Sequence, residues 1–585
     1  MKPTRGFRFS QVAAAFVFTA GCSLATVSCK EDSFLNVSDP NVLSTTTFPA
    51  KVADLDLMVI DLYGRLRTGF YNGDNFRCSG VLPDHTADMG YNGANFPEFA
   101  ELRTLPSDGK LGAIWQNHYE NIARTNSFLT ELAKIRKGTT DKGQLTHLNE
   151  LEGEARFLRA VNYFPLINLF GETMIQTEAD RVKMGIPLPD QVATELSQTV
   201  RERATIGQVW DFIIADLKKS DELLTGKVWD DANKPRVNEW AVKSLLAKSY
   251  VFTQQWTLAR DLLKTVIDKS GKQLVDYAVY AKMFNGQNEF NKESIFEINY
   301  TSDRRDVWNS TLNTSSQYGI FISPGYLEDD GVGEGTNGFG NLFIHDQNND
   351  RFGFTDTTAS TAGMKSATYY KKSVELRQNK LVDPRMTVGT LQPWVDSIYL
   401  YNKWRKVTKA RGEGFPLAQN QAWNHRKYVV IDRGLWGGEP AESIATNFYM
   451  LRLADVYLLY AEALQRTGNT AGALEYVNKV HRRAYDVPVD VASKYDYKSL
   501  TDRTMALGAS DHLANDPLKY ERWAELFAEG QWWFDVCRWK IGPQETAYYK
   551  RVKSGLLTWN DRKYAFPIPE SEIISNAKVK QNPGY

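Results

Sequence analysis

From Leu151 to Gly171 the chain reads LEGEARFLRAVNYFPLINLFG, with apolar positions recurring at helical spacing. Ala155, Leu158 and Asn162 fall on one stripe and Phe157, Ala160, Phe164 and Ile167 on a second, so apolar surface wraps most of the cylinder. The pattern predicts a central helix covered on nearly every side. Glu154, Arg156 and Arg159 sit inside this run. Buried charges persist only when paired and hydrogen-bonded, so these three are expected to bridge neighbouring helices rather than to do chemistry. Pro165 lacks a backbone donor and predicts a kink near the middle of the helix, and Gly171 predicts its stop.

Amphipathic spacing predicts further helices over Ala50 to Leu66, Leu111 to Ile135 and Val209 to Leu224; in the second, Trp115, Tyr119, Ile122 and Asn126 share a stripe. A repeat lies further along. Ala247 is succeeded by Tyr250, Ala259, Leu263 and Val266, and Ala461 by Leu464, Ala473, Val477 and Val480, at the same offsets. Small residues twelve apart let two helices of a hairpin approach while large ones fill the groove, which is the tetratricopeptide pattern. Such units stack because none buries its face alone, so one helical core is expected from the segments before residue 300 and after residue 447.

Between them the helical period fades. Tyr300 to Asn447 is rich in Gly, Asn, Asp, Ser and Thr, with short extended runs such as KYVVIDR from Lys427. Gly69 to Phe99 is a second, Gly-rich loop region. The predicted fold is mainly α: a tetratricopeptide-like helix-pair scaffold with an inserted irregular, mixed, loop-rich subdomain.

Lys plus Arg and Asp plus Glu both count 70 in the 585 residues, so nothing in the overall charge draws the chain to nucleic acid. Aromatics make up 12%, with 15 Trp and 28 Tyr, more than a helical core needs, which suggests that some serve a binding surface. At the N-terminus Lys2, Arg5 and Arg8 precede an apolar run from Val12 to Ala20 that is short for a membrane span and reads as a cleaved export signal. Cys22 and Cys29 each follow small residues, and the residues alone leave either as the lipid-bearing cysteine of a lipoprotein; Thr19 and Thr26 stand where Leu is usual. Asp32 to Thr47 is small and polar, as a tether. With one cysteine acylated, too few remain for a disulfide framework, and Cys537 reads as a buried thiol.

Catalytic motifs are weak. There is no HExxH, GxSxG or paired CxxC. Gly333 to Gly338 fits GxGxxG but follows Glu328, Asp329 and Asp330, which would repel a pyrophosphate. Asp346, Asn348 and Asp350 open like a calcium loop, yet Arg351 and Thr357 stand where that loop needs Gly and Glu, and neither metal nor cofactor is expected. His425 has no evident nucleophile or ligand partner, and the many carboxylates select no glycosidase pair. An aromatic platform can be selected: Trp308, Tyr318, Trp394, Trp404, Trp423 and Trp436 in the insert, with Tyr91 and Phe96 in the early loop. Sugar C–H faces pack on such rings, and the expectation rests on the set rather than on any one residue.

The stretches EARFLRAVNYF, LFGE and WQNHYENIARTN resemble the SusD/RagB family of Bacteroidetes nutrient-capture lipoproteins. So do NKESIFEINY, the DPR at Asp383 to Arg385, YMLRLADVYLLYAEALQRTGN, ERWAELFAEGQWWFDVCRWK, YAFPIPESEI and the final QNPGY. The resemblance covers most of the mature chain and implies a division into signal peptide (1–28), tether (29–48), helical body (49–299 and 448–585) and ligand-binding insert (300–447). It favours Cys29 as the lipid attachment, because CKEDSFLNVSDP opens like a family member's mature chain. It further implies a cell-surface protein, anchored to the outer membrane by its lipid, that captures a glycan for a SusC-like TonB-dependent transporter, with the ligand site where the early loop meets the insert. Peptide capture, as in RagB-like members, and a glycoside hydrolase are the alternatives, since fold does not fix function. Glu521, Arg522, Glu525, Glu529 and Arg538 read as an ion-pair network locking helices.

Overall fold

A computed structural model describes residues 48–70, 86–88 and 102–301. Within 302–444 it describes chiefly 322–328, 342–344, 346–354, 361–400, 402–409 and 423–432, and from 445 to 585 all but 509 and 550–557. Of a first unit, residues 1–50, only 48–50 are described; every described helix and strand belongs to the second unit, Lys51–Tyr585. The export signal, Cys22, Cys29 and nearly all of the tether lie outside the described residues.

The first four α-helices among the described residues are α1 (Val52–Phe70), α2 (Gly109–Gly138), α3 (Lys142–Phe170) and α4 (Ile206–Leu224). The Asp141 side chain accepts from Gln144 N at 2.8 Å and starts α3 nine residues before the apolar pattern does, because a cap and polar first turn carry no apolar signal. The helix runs through Pro165 to Phe170, so the proline falls in its last two turns rather than its middle. From Gly153 to Phe170 all but Arg156 are buried, against α1, α2 and α4. The three charges inside the run are paired: Arg159 with Asp216 of α4 at 2.7 Å, Arg156 with Asp216 at 2.9 Å, and Glu154 with Arg236 at 2.5 Å and the Tyr63 hydroxyl at 2.6 Å.

The repeat forms two helix hairpins. In the first, α5 (Glu239–Phe252) turns into α6 (Trp256–Lys269). The residues at the shared offsets, Ala247, Tyr250, Ala259, Leu263 and Val266, are all buried, and each large one contributes about 1.5–3 kcal/mol by leaving water.

The insert begins after β2 (Ser294–Ile298) and contains β3 (Tyr326–Leu327), β4 (Leu342–Ile344), α7 (Ala367–Gln378), β5 (Thr390–Leu391), β6 (Ser397–Leu400), β7 (Lys403–Lys409) and β8 (Asn424–His425). Strand β1 (Thr86–Asp88), from the early loop, pairs antiparallel with β4, so the early loop and the insert share one sheet, in the order β1-β4-β8-β5. A second sheet has the order β3-β7-β6. KYVVIDR is not a strand: Lys427 and Tyr428 form a turn with Tyr428 at φ 65°, and its apolar residues are buried individually instead of alternating across a sheet. The stretch with calcium-loop spacing opens as a helix, Asp346–Arg351. Arg351, at the place where that loop needs Gly, is buried between Asp511 (2.9 Å) and Glu545 (2.5 Å).

The chain returns through β9 (Phe448–Arg452), antiparallel to β2, into the second hairpin, α8 (Leu453–Arg466) and α9 (Thr470–Ala484), which stacks on α6. Ala461, Leu464, Ala473, Val477 and Val480 are buried like their counterparts. Helices α10 (Pro517–Glu525) and α11 (Trp532–Trp539) close the body around buried Cys537. Here lies the ion-pair network, larger than the sequence suggests. Arg452 meets Glu293 (2.7 Å), Glu525 (2.6 Å) and Glu529 (2.7 Å), while from the insert Arg385 reaches Glu521 (2.6 Å) and Lys427 reaches Glu529 (2.7 Å). Arg522 and Arg538 share Asp535, at 2.8 and 2.7 Å. The insert is thus tied to the scaffold by desolvated charge pairs, whose geometry must be kept because an orphaned partner would be left buried.

Candidate ligand site on the insert

Trp394 sits in the tight loop between β5 and β6 at φ 62°, a left-handed conformation that costs a bulky residue on the order of 1–2 kcal/mol. The surroundings impose it. Its N–H donates to Val407 O of β7 at 2.7 Å. The Asp396 carboxylate accepts from Gln392 N at 2.6 Å and pairs with both terminal nitrogens of Arg377 on α7, at 2.7 and 3.0 Å. Burial pushes the Asp396 carboxyl up, but the Arg377 guanidinium outweighs it and holds the group below its ordinary value. Gln392 in turn donates to Tyr369 and Ser373 of α7, both at 2.8 Å. Strain held in place by so many bonds is characteristic of functional positions.

The indole faces an open cavity of about 540 Å³, within the range of small-ligand sites. Tyr370, Lys365, Lys406, Glu328 and Met364 line it too, with Ser366 and Ala367 at the start of α7. The Ser366 hydroxyl caps α7 through Tyr369 N at 3.2 Å and so fixes where Tyr370, 45% exposed, projects. Lys365 Nζ lies 4.5 Å from the Trp394 ring centre and Lys406 Nζ 5.2 Å from that of Tyr370.

Strand alternation extends the surface. On the β6–β7 hairpin Ile398 and Val407 are buried, so Tyr399, Trp404 and Lys406 share the outer face. Tyr399 pairs directly with Trp404, their rings 5.5 Å apart, and Trp404 is 58% exposed. The structure therefore brings Trp394 and Trp404 onto one side of the insert with Tyr370 and Tyr399, neither of which the sequence singled out. Trp423 must be removed from the expected platform: it is 5% exposed and packs edge-on against Phe354 at 5.2 Å, in the core beside β8. Tyr91, Phe96, Trp308, Tyr318 and Trp436, and nearly all of the GxGxxG stretch, lie outside the described residues. Tyr370 and Tyr399 carried no signal of their own in the sequence.

A second cavity, about 510 Å³, opens on the helical body between α2 and the segment Pro187 to Arg201. Its polar groups already serve one another: Trp115 Nε1 donates to Glu572 at 3.1 Å, Tyr119 to Pro187 O at 2.7 Å, and Asn126 to Pro189 O at 2.9 Å. The insert pocket instead offers the exposed Tyr370 ring, the half-buried Trp394 ring and two ammonium groups. Among the described residues no cluster of His, Cys, Asp and Glu could hold a metal, and no helix is long and apolar enough to cross a membrane. His425 is buried with neither ring nitrogen hydrogen-bonded, and burial lowers its pKa to about 3, so it is a packed neutral ring.

Comparison with known proteins agrees with this architecture. The SusD-like protein P2 of Formosa agariphila is 23% identical over 580 residues, covering 96% of this chain and 98% of that protein. Among solved structures, a SusD-like protein from Bacteroides fragilis superposes with a TM-score of 0.68 at 23% identity, covering 91% of this chain and 97% of the other. The surface glycan-binding protein A from Bacteroides thetaiotaomicron, in complex with laminarihexaose, gives 0.63 at 18% identity, with 91% and 99% covered. Residues 33–251 match a family described as starch-binding and associating with the outer membrane. Residues 292–585, just over half of the chain, match the sequence model of the SusD family, and the chain belongs to that family.

Proposed function

We propose that the protein is a non-catalytic, glycan-binding lipoprotein of the cell surface, anchored through Cys29, that captures oligosaccharide or polysaccharide and passes it to a TonB-dependent outer-membrane transporter. The observation that carries the reading is the strained Trp394 held at the edge of a cavity beside Tyr370, with Tyr399 and Trp404 alongside. Rings presented on a rigid sheet offer flat apolar faces to sugar C–H groups at little entropic cost. A relative of similar fold is a surface glycan-binding protein solved with laminarihexaose, which supports the same class of ligand here.

Capture rather than hydrolysis suits what lines the cavity. Glu328 is the only carboxylate among the described lining residues, where glycoside hydrolysis uses a pair. The test is incubation of purified protein with a glycan panel. Retardation of the protein in a glycan-containing gel, without new reducing ends, is the expected result; release of reducing ends would make the protein an enzyme. Cys29→Ala is expected to free the protein from the outer membrane, because acyl chains supply the anchor.

A further inference from the structure

The side of the insert that carries Trp394, Tyr370 and Trp404 also presents lysines, Lys365 and Lys406 in the cavity wall. On strand β7 Lys406 shares the outer face with Trp404, whereas Lys403 and Arg405 alternate to the side of Val407. Helix α7 adds Lys371, one turn beyond the cavity-lining Ala367 and therefore on the same side, and its neighbour Lys372, both exposed.

The two lysines of the cavity wall differ from the nearby Arg377. Arg377 is taken up by Asp396 and serves the loop. Lys365 and Lys406 have no carboxylate within ion-pair distance among the described residues; each ammonium rests over an aromatic ring. Such a contact contributes about 0.5–1 kcal/mol at an exposed site, less than a charge-assisted hydrogen bond to an oxyanion provides. Both ammoniums are therefore available to a ligand that brings negative charge to the rings.

We propose that the ligand of this site is an anionic glycan, one whose sugar rings carry carboxylate or sulfate groups, and that Lys365 and Lys406 select for that charge. The inference rests on the glycan-capture reading above. The rings hold the sugar and the lysines read its substituents. A neutral glycan would stack on the same rings and leave the ammoniums without partners.

The test uses the soluble protein lacking the lipid anchor. The probes are polygalacturonate and its fully methyl-esterified form, which share a backbone and differ in charge, a sulfated galactan, neutral laminarin, and polyglutamate as a polyanion without sugar rings. Tighter binding of polygalacturonate or the sulfated galactan than of the neutral glycans is expected, weakening as sodium chloride is raised. The Lys365→Gln, Lys406→Gln double variant should lose at least tenfold in affinity for the charged glycan, Lys406→Arg should retain most of it, and Lys137→Gln on α2 should change nothing. The two acidic glycans separate carboxylate from sulfate as the group read. Equal affinity for polygalacturonate and its methyl ester, or parental affinity in the double variant, would overturn the proposal. Polyglutamate bound as tightly as the glycans would overturn it too, by showing bare charge to suffice. Binding to laminarin and to no acidic glycan would overturn the charge inference while leaving glycan capture standing, whereas binding to no glycan at all would end both.

Discussion

The backbone N–H of Tyr300 donates to the side-chain oxygen of Asn447 at 2.9 Å, so the point where the chain leaves the scaffold is clasped to the point where it returns. Asn447 completes the clasp with two carboxylates: its side-chain nitrogen donates to Glu297 at 2.9 Å and its backbone N–H to Glu289 at 2.7 Å. Replacing Asn447 with Ala leaves Glu297 and the Tyr300 amide short of a buried partner, at a cost of about 1–3 kcal/mol. A lower melting temperature and faster proteolysis within 300–447 are expected; an unchanged melt would show that the β2–β9 pairing holds the insert without the clasp.

The same cluster predicts a pH response. Burial raises the Glu289 pKa to about 7, from an ordinary value near 4.5. A raised folded-state value means that the folded protein holds its proton more tightly, so this stabilising effect is complete below the ordinary value and lost as pH rises through about 7. Between pH 5 and 7 the parent should lose about 2 kcal/mol more than Glu289→Gln, which cannot titrate. Parallel stability–pH curves for the two proteins would contradict the assignment.

At lower pH the sign reverses. Burial works to raise the Glu521 pKa, but Arg385 and His481 overcome it and bring the group to about 2. Its stabilising contribution is present above the ordinary carboxylate value and disappears as pH falls from there through about 2. Arg385→Met leaves Glu521 buried without its main partner and should cost about 3–5 kcal/mol near neutrality, with the acid transition moved to higher pH. Denaturant melts at pH 7 and pH 4 would show it.

The two hairpins were legible because their turns obey the same chemistry as their faces. Seven residues beyond the first alanine of each repeat the chain is left-handed, at Gln254 (φ 58°) in one copy and Gly468 (φ 88°) in the other. Gly468→Ala should cost about 1 kcal/mol through that dihedral, measurable by urea titration. The insert was less legible. Its strands are two to seven residues long, and β1 joins β4 across some 250 positions of sequence, a pairing that no local period records. Arg385, Lys427 and Arg452 stand apart from the Glu521 to Glu529 run that they neutralise, so only half of that network could be read from spacing.

Trp394 and Trp423 look alike in sequence and differ in what their removal does. Trp423→Ala deletes a buried ring and should cost about 3–5 kcal/mol of stability, imitating a binding defect by unfolding. Trp394→Ala, at a half-buried ring, should cost clearly less than Trp423→Ala, and Trp394→Gly should be more stable than Trp394→Ala by about 1 kcal/mol, because glycine accepts the positive φ without strain. Calorimetric melts of the three variants distinguish a core ring from a presented one.

The central claim is that the Trp394 face of the insert captures glycan, and titration calorimetry tests it most directly. The glycan that most retards the parent protein is titrated into the parent, Trp394→Ala and Trp404→Ala, each checked to be folded at the titration temperature. The account predicts that Trp394→Ala binds at least tenfold more weakly and that Trp404→Ala is also weakened, because a few aromatic anchors dominate such interfaces. Parental affinity in both folded variants would contradict it and move the ligand to another surface of the protein.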